Sequence, residues 1–241
     1  MDIEPLVNEY RRDGVVRIRE LFRREEVEEI RRQLDRYIRE VMPTVPETDR
    51  VLEADGRAVR NLWRLAEHDP WFAEIGRRPE ILELVARLVN GEPVLKGVET
   101  FNKPARVGSA VPYHQDNAYF CQTPPDMLTV WIAIDPATEE NGAVYYRKGS
   151  HHVLLPHKPS GVKGNSMALA DPPQPDPAAE FLGALEPGDA LVHHSQTIHR
   201  SEPNRSGRSR LALLLVYHGS HTQTDPHLKE MYDRALAQVP K

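Results

Sequence analysis

The sequence predicts a mainly β protein, an antiparallel sandwich or barrel braced by a helical annex at its N-terminus. Three observations carry that expectation. Amphipathic helical periodicity is confined to about residues 1–91. From Glu92 onward, short apolar or alternating runs are separated by Gly, Pro, Asn and Asp. No internal repeat or linker divides the 241 residues, so a single domain spanning 1–241 is expected. A chain of this length buries roughly 70 to 75% of its unfolded surface, and needs no disulfide or metal as a staple. The expected parts are a helical region over about 1–91, a β core over about 92–220 and a C-terminal helix over about 226–238.

Each element has its own signal. Between Arg23 and Met42 the apolar residues Val27, Ile30, Leu34, Tyr37, Ile38 and Val41 recur at three and four, with Glu28/Arg32 and Asp35/Arg39 as i,i+4 pairs outside. The pattern is too short for a coiled coil, so its charged side reads as a solvated face. A second helix runs from Pro79 to Val89, with Pro79 suited to a first helical position and Asn90-Gly91 to a stop. Both helices are expected to brace a sheet. Strands are expected over Val94–Phe101, Met127–Asp135, Gly142–Arg147, Ala190–His194 and Leu211–His218. In M-L-T-V-W-I-A-I-D, alternation sends Leu128, Val130, Ile132 and Ile134 one way, as core, and Thr129, Trp131, Ala133 and Asp135 the other, as a cavity wall. The segment Leu155–Phe181 contains D-P-P-Q-P-D-P, whose prolines predict a long surface loop suited to a lid.

Composition narrows the class of function. At 39% hydrophobic, 28% charged and net charge -5, the chain reads as a soluble globular protein. Weak acidity without a basic block argues against a nucleic-acid partner. No run approaches the roughly 18 apolar residues of a membrane span, and the start MDIEPLVNEYRRDG lacks the pattern of a secretory leader. Cys121 is the single cysteine, which excludes an intrachain disulfide and a multi-cysteine metal site, and it reads as a small buried hydrophobe. The expected setting is the reducing cytoplasm, with a small molecule as partner. Nothing specific marks an oligomeric state.

The eleven histidines are unevenly placed. His114 and Asp116 stand in Y-H-Q-D-N, where alternation along an extended segment puts both side chains on one face. Some eighty residues later comes H-H-S-Q-T-I-H-R-S-E-P-N. His-x-Asp on one strand with one more histidine on a distant strand makes the two-His, one-carboxylate set of non-haem iron(II) oxygenases. By spacing alone His193 and His194 compete with His199. An arginine on the following strand suits a buried carboxylate, with Arg210 the first candidate and Arg208 the second. His151, His152 and His157 fall at the start of the expected lid, exposed, and His218, His221 and His227 read as surface histidines.

Trp131, the run E-N-G at Glu140–Gly142, G-S-H at Gly149–His151 and D-G-V-V-R-I from Asp13, with Leu21-Phe22 behind it, complete an ordered series. From near Asp13 to near His218 this series resembles the phytanoyl-CoA dioxygenase family. The resemblance implies a double-stranded β-helix (a cupin-like jelly roll) that holds iron(II), with 2-oxoglutarate as co-substrate and dioxygen as oxidant. It also implies His114, Asp116 and His199 as the metal ligands, and Arg210 with Ser201 beside it on the distal carboxylate of 2-oxoglutarate. Gln115 and Trp131 would line the co-substrate. Arg60 in A-V-R-N-L takes the place of a basic residue the family uses there, whereas Lys103 in F-N-K-P-A stands outside the expected site. The implied reaction is hydroxylation of an unactivated C–H bond with release of succinate and carbon dioxide. Related halogenases lack the carboxylate that Asp116 supplies, which favours hydroxylation. Substrate-pocket candidates are Tyr113, Asn117, Tyr119, Phe120, Trp63, Tyr146 and Arg147. Acyl-CoA thioesters, amino-acid derivatives, phosphonates and natural-product intermediates are all substrates in the family, and the compact chain suits a small polar metabolite. Readings from other classes are a metal-holding jelly-roll binder without turnover and a zinc hydrolase.

Overall fold

The computed structural model describes residues 2–53 and 55–237. Its N-terminal part runs α1 (Glu4–Asp13), β1 (Val15–Ile18), α2 (Arg24–Arg36), β2 (Arg50–Leu52), β3 (Val59–Leu62), α3 (Leu65–His68), α4 (Pro70–Ile75) and α5 (Pro79–Leu88). There follow β4 (Pro93–Lys103), β5 (Val111–His114), the single turn α6 (Asn117–Phe120), β6 (Gln122–Thr123), β7 (Met127–Ala133) and β8 (Val144–Arg147). The chain then forms β9 (His157–Val162), β10 (Asn165–Leu169), β11 (Glu180–Gly183), β12 (Ala190–His194), β13 (His199–Ser201), β14 (Arg210–Gly219), β15 (Gln223–Thr224) and α7 (Pro226–Ala237). The last residue of the expected C-terminal helix, Gln238, lies outside the described residues.

Two antiparallel sheets face one another. The larger has the order β1-β12-β7-β14-β4-β3-β2 and the smaller β11-β8-β13-β5. Along β7 alternation decides the two faces: Leu128, Val130, Ile132 and Ile134 join the outer core, whereas Trp131 and Ala133 face inward. Helices α1, α2 and α5 cover the outer face, packing Val7, Ile30, Leu34, Leu84 and Val85 against the sheet residues Val16, Val192, Leu213 and Leu215. Truncating Leu34, 1% exposed, to alanine costs about 2 to 5 kcal/mol. The inner face is left for a cavity between the sheets.

Local chemistry sets the element ends. Gly14 closes α1 at φ 73 with its N–H on the Tyr10 carbonyl, and a Cβ there would collide with His151 and Thr197, so the turn into β1 requires glycine. At the start of α2 the Glu26 carboxylate accepts the Arg23 backbone N–H at 2.9 Å, half of a capping box. The expected pairs Glu28/Arg32 and Asp35/Arg39 do not form. Glu28 pairs with Arg24, Arg32 with Glu29, and Arg36 crosses to Asp69 at 2.6 Å.

The helical annex holds more β structure than expected, since β2 and β3 extend the large sheet from its β4 edge. These strands are three and four residues long and contain Arg50, Arg60 and Asn61, so their apolar alternation is too short to register. The expected lid loop is likewise partly a hairpin. Strands β9 and β10 pair within it, and only the proline-rich stretch after Leu169 is irregular before β11.

Candidate active site

Three neighbouring strands of the small sheet place the first cluster. In β5, β13 and β8, His199 is the cross-strand partner of His114 on one side and of Tyr146 on the other. Asp116 is not on a strand. It sits in helical backbone just before α6, with φ -59 and ψ -33, and this turn swings its carboxylate back beside the histidines. The Nε2 atoms of His114 and His199 each lie 3.5 Å from Asp116 Oδ1. One donor atom from each residue fits within 4.8 Å of the others, as a shared metal ion demands.

The other ring nitrogens are fixed by the backbone. His114 Nδ1 meets the Pro112 carbonyl and His199 Nδ1 the Thr197 carbonyl, both at 2.9 Å. An Nδ1–H donated to a carbonyl leaves the Nε2 lone pair free to bind metal. Burial holds His199 well below the ordinary histidine pKa, keeping it neutral. Burial alone would raise the Asp116 pKa, but the adjoining His199 imidazole and hydrogen bonds from His114 and His193 hold it well below the carboxylate range. The Tyr119 hydroxyl donates to Asp116 Oδ1 at 2.6 Å, and His193 Nε2 lies 3.2 Å from Oδ2. His193 therefore orients the carboxylate from outside the cluster. His194 points away, toward Tyr10 and His151.

The cluster opens into a cavity of about 480 Å³ between the sheets. At its inner end Arg210, 1% exposed, donates from Nη1 to the Gly142 carbonyl at 2.7 Å. Its guanidinium lies 4.9 Å from the Trp131 ring centroid, and its Nε has no partner among the described residues. Arg60 is equally buried behind Phe101 and pairs through Nη1 with Glu53 at 3.0 Å, while its Nε and Nη2 have no partner among the described residues. Arg60 does not itself line the cavity. Lys103, the register partner of Arg210, donates from Nζ to the carbonyls of Ser109 and Glu202 at 2.7 and 2.6 Å. Burial, with Arg210 and Arg60 adding to it, pulls the Lys103 pKa down to about 6. Burial lowers Arg210 to about 9. Buried donors outnumber acceptors here, the signature of an anion site. Arg208, the competing arginine, is exposed.

Of the other expected residues, Trp131, Ser201, Tyr146, Tyr119, Phe120 and Trp63 line the cavity. Tyr146 stacks on His199 at 5.6 Å between ring centroids. Four residues do not. Gln115 projects to the far side, bonding the Val153 and Gln196 carbonyls, because strand alternation opposes it to His114. Asn117 is spent on the backbone of Gln122. The Tyr113 hydroxyl bonds Glu180 with the Arg200 guanidinium 5.2 Å from its ring, and it borders a second, separate cavity. Arg147 follows inward-facing Tyr146 in β8 and so faces outward. Among the lid histidines, His151 is buried against α1 and His157 is half-buried, its Nε2 accepting the Gln115 N–H. His221 is exposed and pairs with Asp126, and Cys121 is fully buried, as expected.

Sequence reasoning missed Glu99. On β4, Glu99, Phe101 and Lys103 share the inward face, and Glu99 and Phe101 line the cavity. Alternation was the available signal, but a glutamate in a strand ordinarily reads as solvent-facing. Burial, with the Asp116 charge adding to it, raises the Glu99 pKa to about 7.

Facing sheets of a jelly roll, a two-His, one-carboxylate cluster and a buried guanidinium within one cavity together define the non-haem iron, 2-oxoglutarate-dependent dioxygenases as the protein class. A sequence model of the family Phytanoyl-CoA dioxygenase (PhyH) matches residues 10–212, and this chain belongs to that family. It is 27% identical over 228 residues to an L-proline trans-4-hydroxylase of Streptomyces griseoviridis, covering 86% of this chain and 83% of that one. It is 32% identical over 154 residues to phytanoyl-CoA dioxygenase 1 of rice (Oryza sativa subsp. japonica), covering 63% of this chain but 54% of the rice protein. The chain thus spans about half the length of that relative. Among solved structures, the epimerase SnoN in complex with Fe3+, alpha ketoglutarate and nogalamycin RO superposes with a TM-score of 0.74 at 22% identity, covering 99% of this chain and 92% of that one. No helix among the described residues is long and apolar enough to cross a membrane.

Proposed function

We propose that this chain is an iron(II)- and 2-oxoglutarate-dependent dioxygenase that hydroxylates an unactivated C–H bond of a small molecule, releasing succinate and carbon dioxide. The observation that carries the reading is the pairing, in one cavity, of the His114/Asp116/His199 donor set with a buried, incompletely satisfied Arg210. The donor set fits iron(II): two neutral imidazoles and one carboxylate occupy one side and leave the other open. When bound, the metal supplies oxygen activation coupled to oxidative decarboxylation of 2-oxoglutarate.

The remaining roles belong to the protein. Arg210 would grip the distal carboxylate of 2-oxoglutarate, with the Ser201 hydroxyl beside it and Trp131 as a flat wall under the guanidinium. Arg60, buried behind Phe101, keeps this end electropositive without entering the cavity, and Lys103, its amine held by two carbonyls, stands beside it. The carbonyls of Pro112 and Thr197 fix both ligand imidazoles, and Tyr119 and His193 hold the Asp116 carboxylate in place. Tyr146, stacked on His199, and Trp131 narrow the space around the cluster and exclude water. A ligand binder has no use for a dicarboxylate clamp at this position. The names of the bacterial and rice relatives support a small-molecule substrate.

The test is succinate formation from 2-oxoglutarate by the purified chain with added iron(II). Iron-dependent succinate, absent when zinc replaces iron and absent in Asp116→Ala, is the expected result. Hydrolytic activity with zinc and no succinate with iron would replace this reading by a metallohydrolase.

A further inference from the structure

We propose that Glu99 determines substrate choice and that the substrate carries a protonated amine, which pairs with the Glu99 carboxylate. This inference rests on the dioxygenase reading and names the substrate class for the same cavity.

Apart from the metal cluster and Arg210, the charged residues lining the cavity are Asp49, Arg64, Glu99 and Arg200, and Arg200 is already matched by Glu180 at 2.8 Å. Asp49 is already matched: its Oδ1 takes Arg64 Nη1 at 3.1 Å and its Oδ2 faces His68 Nε2 at 2.7 Å. Glu99 has neither a hydrogen-bond nor an ion-pair partner among the described residues, and only the Arg64 charge opposes the rise in its pKa. One carboxylate is therefore left over, walled by protein and open to the cavity. An unpaired carboxylate in such a place costs free energy, and a bound cation offsets that cost. Trp63, Tyr119 and Phe120 line the same cavity, and aromatic rings there suit a cation better than an anion.

Position separates this anion from the co-substrate site. Glu99 stands four residues before Lys103 on β4, about 13 Å along the strand from the inner cationic cluster. His114 and His199 lie on the opposite sheet, with Asp116 in the turn after β5, and all three face the cavity. A substrate held by its amine at Glu99 thus reaches toward the metal cluster from the side opposite 2-oxoglutarate. An acyl-CoA, strongly anionic, would meet repulsion at this carboxylate.

Wild-type enzyme loaded with iron(II) and 2-oxoglutarate is assayed for succinate release with the common free L-amino acids, L-proline first, each beside its N-acetyl form. Octanoate and octanoyl-CoA serve as amine-free probes. The expected result is stimulation by a free amine and at least a roughly tenfold loss on N-acetylation. Glu99→Gln raises the KM for that amine roughly 10- to 100-fold, Glu99→Asp retains part of the preference, and 2-oxoglutarate affinity stays at the wild-type value. The melting temperature of Glu99→Gln is unchanged or higher, because no partner is left unpaired. Equal stimulation by the N-acetyl forms, stimulation by amine-free probes alone, or no stimulation by any free amine would overturn the proposal. If wild type fails to bind 2-oxoglutarate with iron(II), the dioxygenase reading fails instead. Calorimetric titration of the same amines into wild type and Glu99→Gln then decides the role of Glu99 independently.

Discussion

The inner end of the cavity gathers Arg210, Arg60 and Lys103 on adjoining strands of the large sheet, all buried, while the outer end combines Glu99 of that sheet with Trp63 and Arg64 from the annex and Phe120 from a single helical turn. The inner end is positive and built from regular strand positions. The outer end is negative and assembled from irregular pieces. On the proposed reading, the difference separates what can be constant from what must vary: one end would meet a fixed dicarboxylate, and the other whatever substrate the enzyme serves.

That contrast can be broken in order of expected effect. Asp116→Ala removes the ligand between the two ends and should abolish succinate formation entirely, with an unchanged circular dichroism spectrum; residual turnover near wild type would dismantle the cluster as described. Arg210→Ala should weaken 2-oxoglutarate binding roughly 10- to 100-fold, the worth of a buried charge-assisted bond, with Arg210→Lys recovering only part. Titration of 2-oxoglutarate into the iron-loaded variants measures both. A change confined to substrate KM would place Arg210 at the wrong end.

Proton linkage probes the inner end alone. Lys103 is lowered to about 6 by burial and by Arg210 and Arg60, against Glu53 and Glu202, and a neutral amine suffices for the two carbonyls it meets. A bound dianion favours the charged form. Binding of 2-oxoglutarate near pH 7 should therefore take up protons, and affinity should fall as pH rises above about 6. Calorimetry in two buffers of different ionisation heat reads the uptake, which Lys103→Met should remove.

The smallest effect concerns the scaffold outside the cavity. Burial, with His151, His193 and His152 adding to it, lowers His194 to about 3, so it stays neutral while the unfolded chain takes up a proton below about 6.5. Stability should fall as pH drops from about 6.5 toward 3, and His194→Gln should flatten that dependence in thermal melts, leaving 2-oxoglutarate affinity at pH 7 unaltered.

The inner end was largely legible in the amino-acid order because strands report themselves by alternation. The inward face of β7 and the bounds of β12 follow from the pattern of apolar residues, and Arg210 follows from its place on the strand after His199. Legibility fails where the period changes. Gln115 was placed in the cavity by the family resemblance and Asn117 by nearness to His114, yet alternation and the α6 turn send both side chains into backbone bonds. Tyr113 and Arg147 fail for the same reason, each lying one residue from an inward-facing neighbour. Strands β2 and β3 carry polar residues that are buried, and hydrophobic periodicity has no purchase on them. Glu99 shows the limit most directly, since only the folded sheet reveals that its carboxylate has a cavity before it instead of bulk solvent.

The central claim, that one cavity holds a metal at His114/Asp116/His199 and a keto acid clamped by Arg210, is tested most directly by adding iron(II) and then 2-oxoglutarate to the purified protein without oxygen. The account predicts a weak visible charge-transfer band in wild type, its loss in His199→Ala, and its appearance only at much higher 2-oxoglutarate concentration in Arg210→Ala. No band in wild type, with tight zinc binding in its place, would contradict it.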